Sequence, residues 1–260
     1  ISIAALFMAG VLPGLLLGLT LGTYCLVIAR KRHFPTGESM PLGKALRIAA
    51  DALWGLATMG IILGGILSGV FTATESASIA VLWAFFVTMF IYRDYKWRDL
   101  PKLMHRVVKT VSIVMILIGF AASFGYIMTL MQIPLKITTA LTAFSDNRYV
   151  ILLCINLLLL VLGTLMDMAA LLLILTPILL PVVKAVGVDP VHFGMIMTVN
   201  LGIGLITPPV GSVLFVGSAV GKLPIEAVVR ALAPFFGLLV IVLAIVTYVP
   251  GLSLWLPRLM

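Results

Sequence analysis

The residues best suited to bind an ion or a solute lie in a stretch rich in glycine and proline, residues 194–212, within an apolar segment of membrane length. Four glycines fall in this stretch, and Pro208 and Pro209 are adjacent. In hydrocarbon, each broken backbone hydrogen bond costs several kcal/mol unless protein or water satisfies it. A helix that only faces lipid has no use for such a sequence, so the stretch predicts a discontinuous helix built around a site.

The prediction for this helix is a first half over residues 190–205, an unwound centre at Ile206 and Thr207, and a second half over 208–221. Thr207 can cap the second half, and Pro208 suits its first position, where no N–H group is needed. Carbonyls at the end of the first half favour a cation, and N–H groups at the start of the second favour an anion. The alternative is a proline-kinked helix that serves packing alone.

A second unusual segment, residues 151–183, contains a single charge, Asp167. As one helix it would be about 50 Å long, well beyond the roughly 30 Å of a hydrocarbon core. The segment is therefore expected to fold back at a tip over 163–167, as a re-entrant hairpin with short arms. Pro177 and Pro181 in the second arm are tolerated where protein covers the backbone. Asp167 either caps the second arm or lies beside a bound cation.

Composition places the rest of the chain in a membrane, because 62% of its residues are hydrophobic and only 10% are charged. The apolar runs are continuous rather than alternating, which predicts an all-α, multi-span protein. Cys25 and Cys154 lie in apolar runs without metal-site spacing, so packing is their expected role. The three histidines are scattered and no metalloprotease or serine-hydrolase motif occurs, so the sequence predicts no enzyme.

The first half of the chain predicts supporting helices. Residues 3–29 can span the membrane, and 41–54 have the pattern of an interfacial amphipathic helix or of a solvated connector. Two shorter apolar runs, 56–70 and 77–92, follow. Glu75, between them, is either an intramembrane carboxylate or a structural acid in the first turn of a helix.

The net charge of +8 comes from loops, with 13 of the 17 Lys and Arg residues in three segments: 30–47, 93–109 and 221–230. Lys136, Arg148, Lys184 and Arg258 lie outside them. Such clustering follows the positive-inside rule, so these segments are predicted to be cytoplasmic and no nucleic-acid partner is expected.

Specific motifs fill the second half of the chain: Gly163-Thr-Leu-Met-Asp167, Leu175-Thr-Pro-Ile-Leu-Leu-Pro181, Gly187-Val-Asp-Pro-Val-His-Phe-Gly194 and Asn200-Leu-Gly-Ile-Gly-Leu-Ile-Thr-Pro-Pro-Val-Gly211. With Ala9-Gly-Val-Leu-Pro-Gly-Leu-Leu-Leu-Gly18 and Gly69-Val-Phe-Thr-Ala-Thr-Glu-Ser76, they closely resemble the large membrane subunit of TRAP (tripartite ATP-independent periplasmic) transporters. The resemblance covers nearly the whole chain. The sequence does not contain the family's first repeat, so the chain is expected to be the C-terminal part of such a subunit.

The resemblance implies a multi-pass protein of the bacterial inner membrane, the second half of an inverted-repeat, elevator-type symporter. It would import an organic acid (a sugar acid, a sialic acid or a dicarboxylate) with sodium as coupling ion and no other cofactor. Its expected partners are a small membrane subunit, a periplasmic solute-binding protein and the lipid bilayer. The expected division of the chain is 1–29 as the end of the first repeat, 30–131 as scaffold helices with an amphipathic arm, 132–223 as half of the transport domain, and 224–260 as the last span and tail.

Oxygen atoms at the break and the hairpin tip are the expected sodium ligands, because hard cations prefer oxygen. The candidate sodium-binding residues are Gly163, Thr164, Asp167, Gly202, Gly204 and Thr207. The candidate substrate-binding residues are Asn200, Thr207, Pro208 and Pro209. The alternative function is a channel or a membrane scaffold without transport. A channel would be expected to show charge along a pore, whereas only Asp167 lies well inside an apolar stretch.

Overall fold

The computed structural model describes residues 2–34, 41–145 and 147–259. Within these ranges the chain is helical and has no strand. The α-helices are α1 (Ile3–Lys31), α2 (Leu42–Leu67), α3 (Ala73–Phe86), α4 (Leu100–Leu130), α5 (Ile133–Phe144), α6 (Arg148–Leu165), α7 (Met168–Ala185), α8 (Pro190–Gly204), α9 (Ser212–Gly221), α10 (Ile225–Tyr248) and α11 (Gly251–Leu254). A π-helical turn, Val87–Ile91, follows α3, and 3-10 turns cover Trp97–Asp99 and Pro257–Leu259.

Seven helical segments of the described chain are long and apolar enough to cross a membrane. They are Ile3–Lys31, Leu42–Leu67, Ala73–Ile91, Trp97–Leu130, Arg148–Leu165, Met168–Ala185 and Ile225–Tyr248. The predicted class, an all-α multi-span membrane protein, is confirmed. The predicted basic loop over 30–47 falls partly on residues 35–40, which lie outside the described residues.

The helix predicted over 41–54 is present, but it does not end at Trp54. The amphipathic segment over 41–54 and the apolar run that follows it form a single helix, α2. Gly55 is the only weak helix former at the expected junction, and one glycine costs a helix only about 1 kcal/mol. The amphipathic pattern therefore marks the first turns of a longer helix.

The chain divides into two compact units, the first of which contains residues 2–7 and 28–113. In this unit α2 and α3 pack as a helical pair, with the indole rings of Trp54 and Trp83 stacked and the Trp83 indole N–H donating to the Trp54 carbonyl at 3.1 Å. Thr72 caps α3: its hydroxyl accepts from the Glu75 N–H, and the Glu75 carboxylate accepts from the Thr72 N–H at 2.8 Å. Of the two roles open to Glu75, this capping box shows the structural one.

The second unit contains residues 8–27 and 114–259, and its core lies where α8 packs against both arms of the α6–α7 hairpin. α10 packs against α8, and α5 packs against α7. In α6 the buried residues recur every four positions, at Ile151, Ile155 and Leu159, so one face of the helix enters the core. Leu171 and Leu179 of α7 and Ile196 and Leu201 of α8 complete this core.

Sequence reasoning missed α5, which packs through Ile137 against the core. The available signal was Pro134 close to the helix start, a position where its missing N–H is harmless.

The orientation of the chain can be tested with single cysteines in the full-length protein, after Cys25 and Cys154, both free thiols, are replaced. Lys96→Cys should resist a membrane-impermeant thiol reagent in intact cells, because it lies in a basic segment that the positive-inside rule predicts to be cytoplasmic. Lys184→Cys, at the end of α7 and outside the three basic segments, should be labelled. Both positions are exposed, so burial does not protect either of them. Labelling of Lys96→Cys together with protection of Lys184→Cys would show that the orientation is the opposite of the predicted one.

Candidate ion and solute site at the broken helix

The predicted break in the proline-rich helix is present, with α8 ending at Gly204 and α9 beginning at Ser212. The predicted first half is confirmed, but the prediction that the second half starts at Pro208 under a Thr207 cap was wrong. Gly211, with a left-handed φ of 43°, precedes α9, and the Thr207 hydroxyl instead donates to the Ile203 carbonyl at 2.7 Å. A proline disfavours helical backbone at the residue before it, so Pro209 keeps Pro208 out of a helix.

The tip of the α6–α7 hairpin closes the break through backbone hydrogen bonds. The Thr164 carbonyl accepts from the N–H groups of Val210, at 3.2 Å, and Gly211, at 3.4 Å. Across the break, the Val213 N–H donates to the Leu205 carbonyl at 3.2 Å. The backbone polar groups freed by the prolines are thus satisfied by protein, as an apolar setting requires.

Two glycines allow the hairpin and the broken helix to touch. A Cβ atom added at Gly204 would lie 2.6–2.8 Å from the carbonyl carbon, Cα and oxygen of Gly163. A Cβ added at Gly163 would lie 3.3 Å from the Gly204 Cα. The structure therefore brings together four of the predicted site residues: Gly163, Thr164, Gly204 and, through the same turn, Thr207.

The end of α8 leaves a carbonyl without its helical partner. The Ile206 N–H donates to the Ile203 carbonyl, three residues back, rather than to Gly202, four residues back. The Thr207 N–H likewise donates to the Gly204 carbonyl. The Gly202 carbonyl therefore lacks the N–H group that a continuing α-helix would offer it, and its lone pairs can face a cation.

Asp167 caps α7, with its Oδ1 atom accepting from the Ala169 N–H at 2.9 Å, and its side chain is exposed. The described part of the chain has no group of three or more His, Cys, Asp or Glu side chains that could hold a metal ion. A cation at the break would depend on backbone carbonyls and on the hydroxyls of Thr164 and Thr207. Each of these hydroxyls donates to a carbonyl of its own helix end and can still accept, or bind a cation, through its oxygen lone pairs.

Asn200, a predicted substrate contact, is fully buried between α6 and α8. Its Nδ2 atom donates to Oδ1 of Asn156 at 2.7 Å and to the Asn156 carbonyl at 3.0 Å. Asn156 in turn donates to Oγ1 of Thr247 at 3.2 Å, and the Thr247 carbonyl is 3.1 Å from Nε2 of His192. The structure thus places Asn200 in a buried polar network that joins α6, α8 and α10.

Sequence reasoning missed Asn156 and Thr247 as members of this network. The available signal was Asn156 itself, the one amide side chain in the apolar run 149–163. A buried amide in such a run needs a partner, because an unpaired polar group in an apolar setting is costly. Its partner in another helix could not be chosen from the sequence.

The described residues form seven candidate spans, a helical hairpin and a discontinuous helix, a combination typical of integral membrane proteins that transport solutes. The sequence profile described as "Tripartite ATP-independent periplasmic transporter, DctM component" matches residues 1–252. The chain therefore belongs to this family, as the sequence predicted, and is a multi-pass protein of the bacterial inner membrane. The family is one of transport proteins and not of enzymes, in agreement with the sequence prediction.

Named relatives in three bacteria match almost the whole chain. It is 44% identical over 257 residues to the C4-dicarboxylate TRAP transporter large permease protein DctM of Pseudomonas aeruginosa, covering 99% of this chain and 60% of the relative. It is 40% identical over 258 residues to the sialic acid TRAP transporter large permease protein SiaM of Vibrio cholerae, covering 99% and 60%. It is 41% identical over 256 residues to the isethionate TRAP transporter permease protein DctMQ of Oleidesulfovibrio alaskensis, covering 98% and 40%. The chain spans about three fifths or less of the length of these relatives.

Proposed function

We propose that this chain is part of the large membrane subunit of a sodium-coupled symporter that imports an organic acid. The observation that carries the proposal is the hairpin tip bonded to a broken helix, where the Thr164 carbonyl meets the N–H groups of Val210 and Gly211. Secondary transporters recurrently build their ion and substrate sites from such discontinuous helices. The re-entrant hairpin and the elevator motion belong to the same proposal.

Sodium would bind at the end of α8. The Gly202 carbonyl lacks its helical N–H partner, and the Thr207 hydroxyl has oxygen lone pairs to offer. Gly163, Thr164 and Gly204 bring the hairpin tip close to these oxygens, and Asp167 begins the second arm. Carbonyl and hydroxyl oxygens suit a hard monovalent cation, and they require no cluster of acids.

The imported solute would carry a carboxylate or a related anionic group, as the solutes named for the relatives do: a C4-dicarboxylate, a sialic acid and, as a sulfonate, isethionate. Pro208 and the exposed Pro209 and Val210, in the turn before α9, would line this contact. A small membrane subunit and a periplasmic solute-binding protein would be the partners, as the tripartite family description suggests.

Thr207→Ala tests the sodium site in the full-length transporter, reconstituted with its partner subunits. Loss of one neutral oxygen ligand, worth about 1 kcal/mol, should raise the sodium concentration for half-maximal uptake about fivefold. Thr198→Ala is the matched control, because that hydroxyl donates in the same way to a carbonyl four residues back, at 2.8 Å, but lies away from the break. An equal change in the half-maximal sodium concentration of both variants would show that Thr207 is not a sodium ligand.

The coupling ion itself is tested in the same proteoliposomes by imposing sodium and proton gradients separately. Sodium alone should drive uptake. Uptake driven by a proton gradient in sodium-free buffer would contradict the proposed coupling. Ion flux that continues without the organic acid and the binding protein would favour the channel alternative.

A further inference from the structure

A polar cavity of about 260 Å³ lies at the other end of α8 from the break, where α6 and α8 begin and α10 ends. Its lining includes two arginines, Arg148 and Arg258, together with Asp189, His192 and Tyr248. A water molecule takes up about 30 Å³ in the liquid, so the space is sufficient for an anion of several heavy atoms. Neither the break nor the hairpin tip contributes to it.

Arg148 is held in place by its neighbour in the chain. Its Nη2 atom donates to the Tyr149 hydroxyl at 2.8 Å, and its guanidinium lies 4.8 Å from the centre of the Tyr149 ring. The Tyr149 ring in turn packs 5.9 Å from that of Tyr248. A guanidinium has five N–H donors in a planar fork, so most of them stay free for an oxyanion. The stacking fixes the fork before any ligand arrives, which reduces the cost of ordering it.

Asp189 is the one acid among the described residues that line the cavity, and its carboxylate already serves α8. Oδ1 accepts from the Val191 N–H at 2.7 Å and from the His192 N–H at 3.4 Å. Its role as a helix cap accounts for the acid without an ion pair to either arginine. The lining carries two arginines and one carboxylate, and that carboxylate already caps α8. The net charge of the lining is therefore positive, which favours an anionic ligand.

His192, which lines the cavity, has one ring nitrogen without a hydrogen-bond partner. The residue is 2% exposed, its Nε2 atom is 3.1 Å from the Thr247 carbonyl, and Nδ1 is buried without a hydrogen-bond partner. Because a carbonyl can only accept, Nε2 carries a hydrogen, and the unpaired Nδ1 can accept from a water or from the O–H of a protonated oxyanion.

We propose that this cavity is a binding site for a small oxyanion, a carboxylate or a phosphate group, held by the forks of Arg148 and Arg258. Arginine forks match the paired oxygens of such groups with charge-assisted hydrogen bonds. The ligand is either a free solute or the head group of an anionic phospholipid, because helix ends are where lipid head groups lie. The site does not depend on the proposed sodium coupling.

The first test is equilibrium dialysis of radiolabelled inorganic phosphate, and of succinate, against the purified full-length subunit in a non-ionic detergent. Each probe should bind saturably, and Arg148→Gln combined with Arg258→Gln should weaken binding at least about tenfold. Lys136→Gln combined with Lys184→Gln removes the same charge from exposed positions that do not line the cavity and should leave binding unchanged. Absence of saturable binding, or equal loss in the two double variants, would overturn the site.

The second test identifies the source of the oxyanion. Phosphate and succinate binding is compared in nanodiscs of phosphatidylcholine and in nanodiscs that also contain phosphatidylglycerol. Loss of binding in phosphatidylglycerol would assign the site to a lipid head group, and retention would assign it to a free solute; both support the oxyanion site. Identical binding by the wild type and the Arg148→Gln, Arg258→Gln variant in both membranes would refute it.

Discussion

Gly204→Ala should abolish solute uptake by the full-length transporter and lower its free energy of unfolding by about 2–3 kcal/mol, as overpacking of a close contact does. The added methyl group would lie 2.6–2.8 Å from three backbone atoms of Gly163. Backbone atoms cannot turn aside as the end of a flexible side chain can, so the hairpin tip would have to move. The bonds from Val210 and Gly211 to the Thr164 carbonyl would then lengthen or break.

Two other glycine substitutions serve as an intermediate case and as a control for this prediction. Gly163→Ala places its methyl group 3.3 Å from the Gly204 Cα, so a shift of a few tenths of an ångström suffices and a partial loss of uptake is expected. Gly217→Ala, within α9, meets no atom within 4 Å and should leave uptake and the melting temperature unchanged or slightly raised. The measurements are uptake in proteoliposomes and thermal unfolding in detergent. Equal behaviour of Gly204→Ala and Gly217→Ala would show that the contact has no role.

The sequence predicted the hairpin and the break because both rest on local chemistry. A 33-residue apolar run around Asp167 is too long for one span, and adjacent prolines interrupt a helix. The first half-helix, from Pro190 to Gly204, was predicted to within a residue because Asp189 and the following proline mark its start. These features depend on residues only a few positions apart.

The start of α9 and the partner of Asn200 could not be predicted, since each depends on contacts distant in sequence. The turn before α9 is held by the Thr164 carbonyl, more than forty residues earlier, which places the helix start at Ser212 rather than Pro208. Asn200 pairs with Asn156, 44 residues away. An isolated polar residue in an apolar run has the same local pattern whether it binds a solute or another helix.

The remaining prediction separates these two roles of Asn200. Because Asn200 donates to the side chain and the carbonyl of Asn156, either Asn→Leu substitution leaves buried polar groups without partners. Each single variant should lose about 1–3 kcal/mol of unfolding free energy. The double variant replaces both partners by apolar groups of similar size, so its loss should fall short of the sum of the two by about 1 kcal/mol or more.

Uptake kinetics complete the comparison, because a substrate contact and a packing contact affect different quantities. If Asn200 acts within the network, Asn156→Leu and Asn200→Leu should lower the maximal rate to a similar degree, and neither should change the solute concentration for half-maximal uptake. The network reaches Thr247 of α10 through Asn156, so damage at either end loosens the same three helices. A rise of about tenfold in that concentration for Asn200→Leu alone, the effect of losing one hydrogen bond to a charged group, would instead return Asn200 to the substrate site.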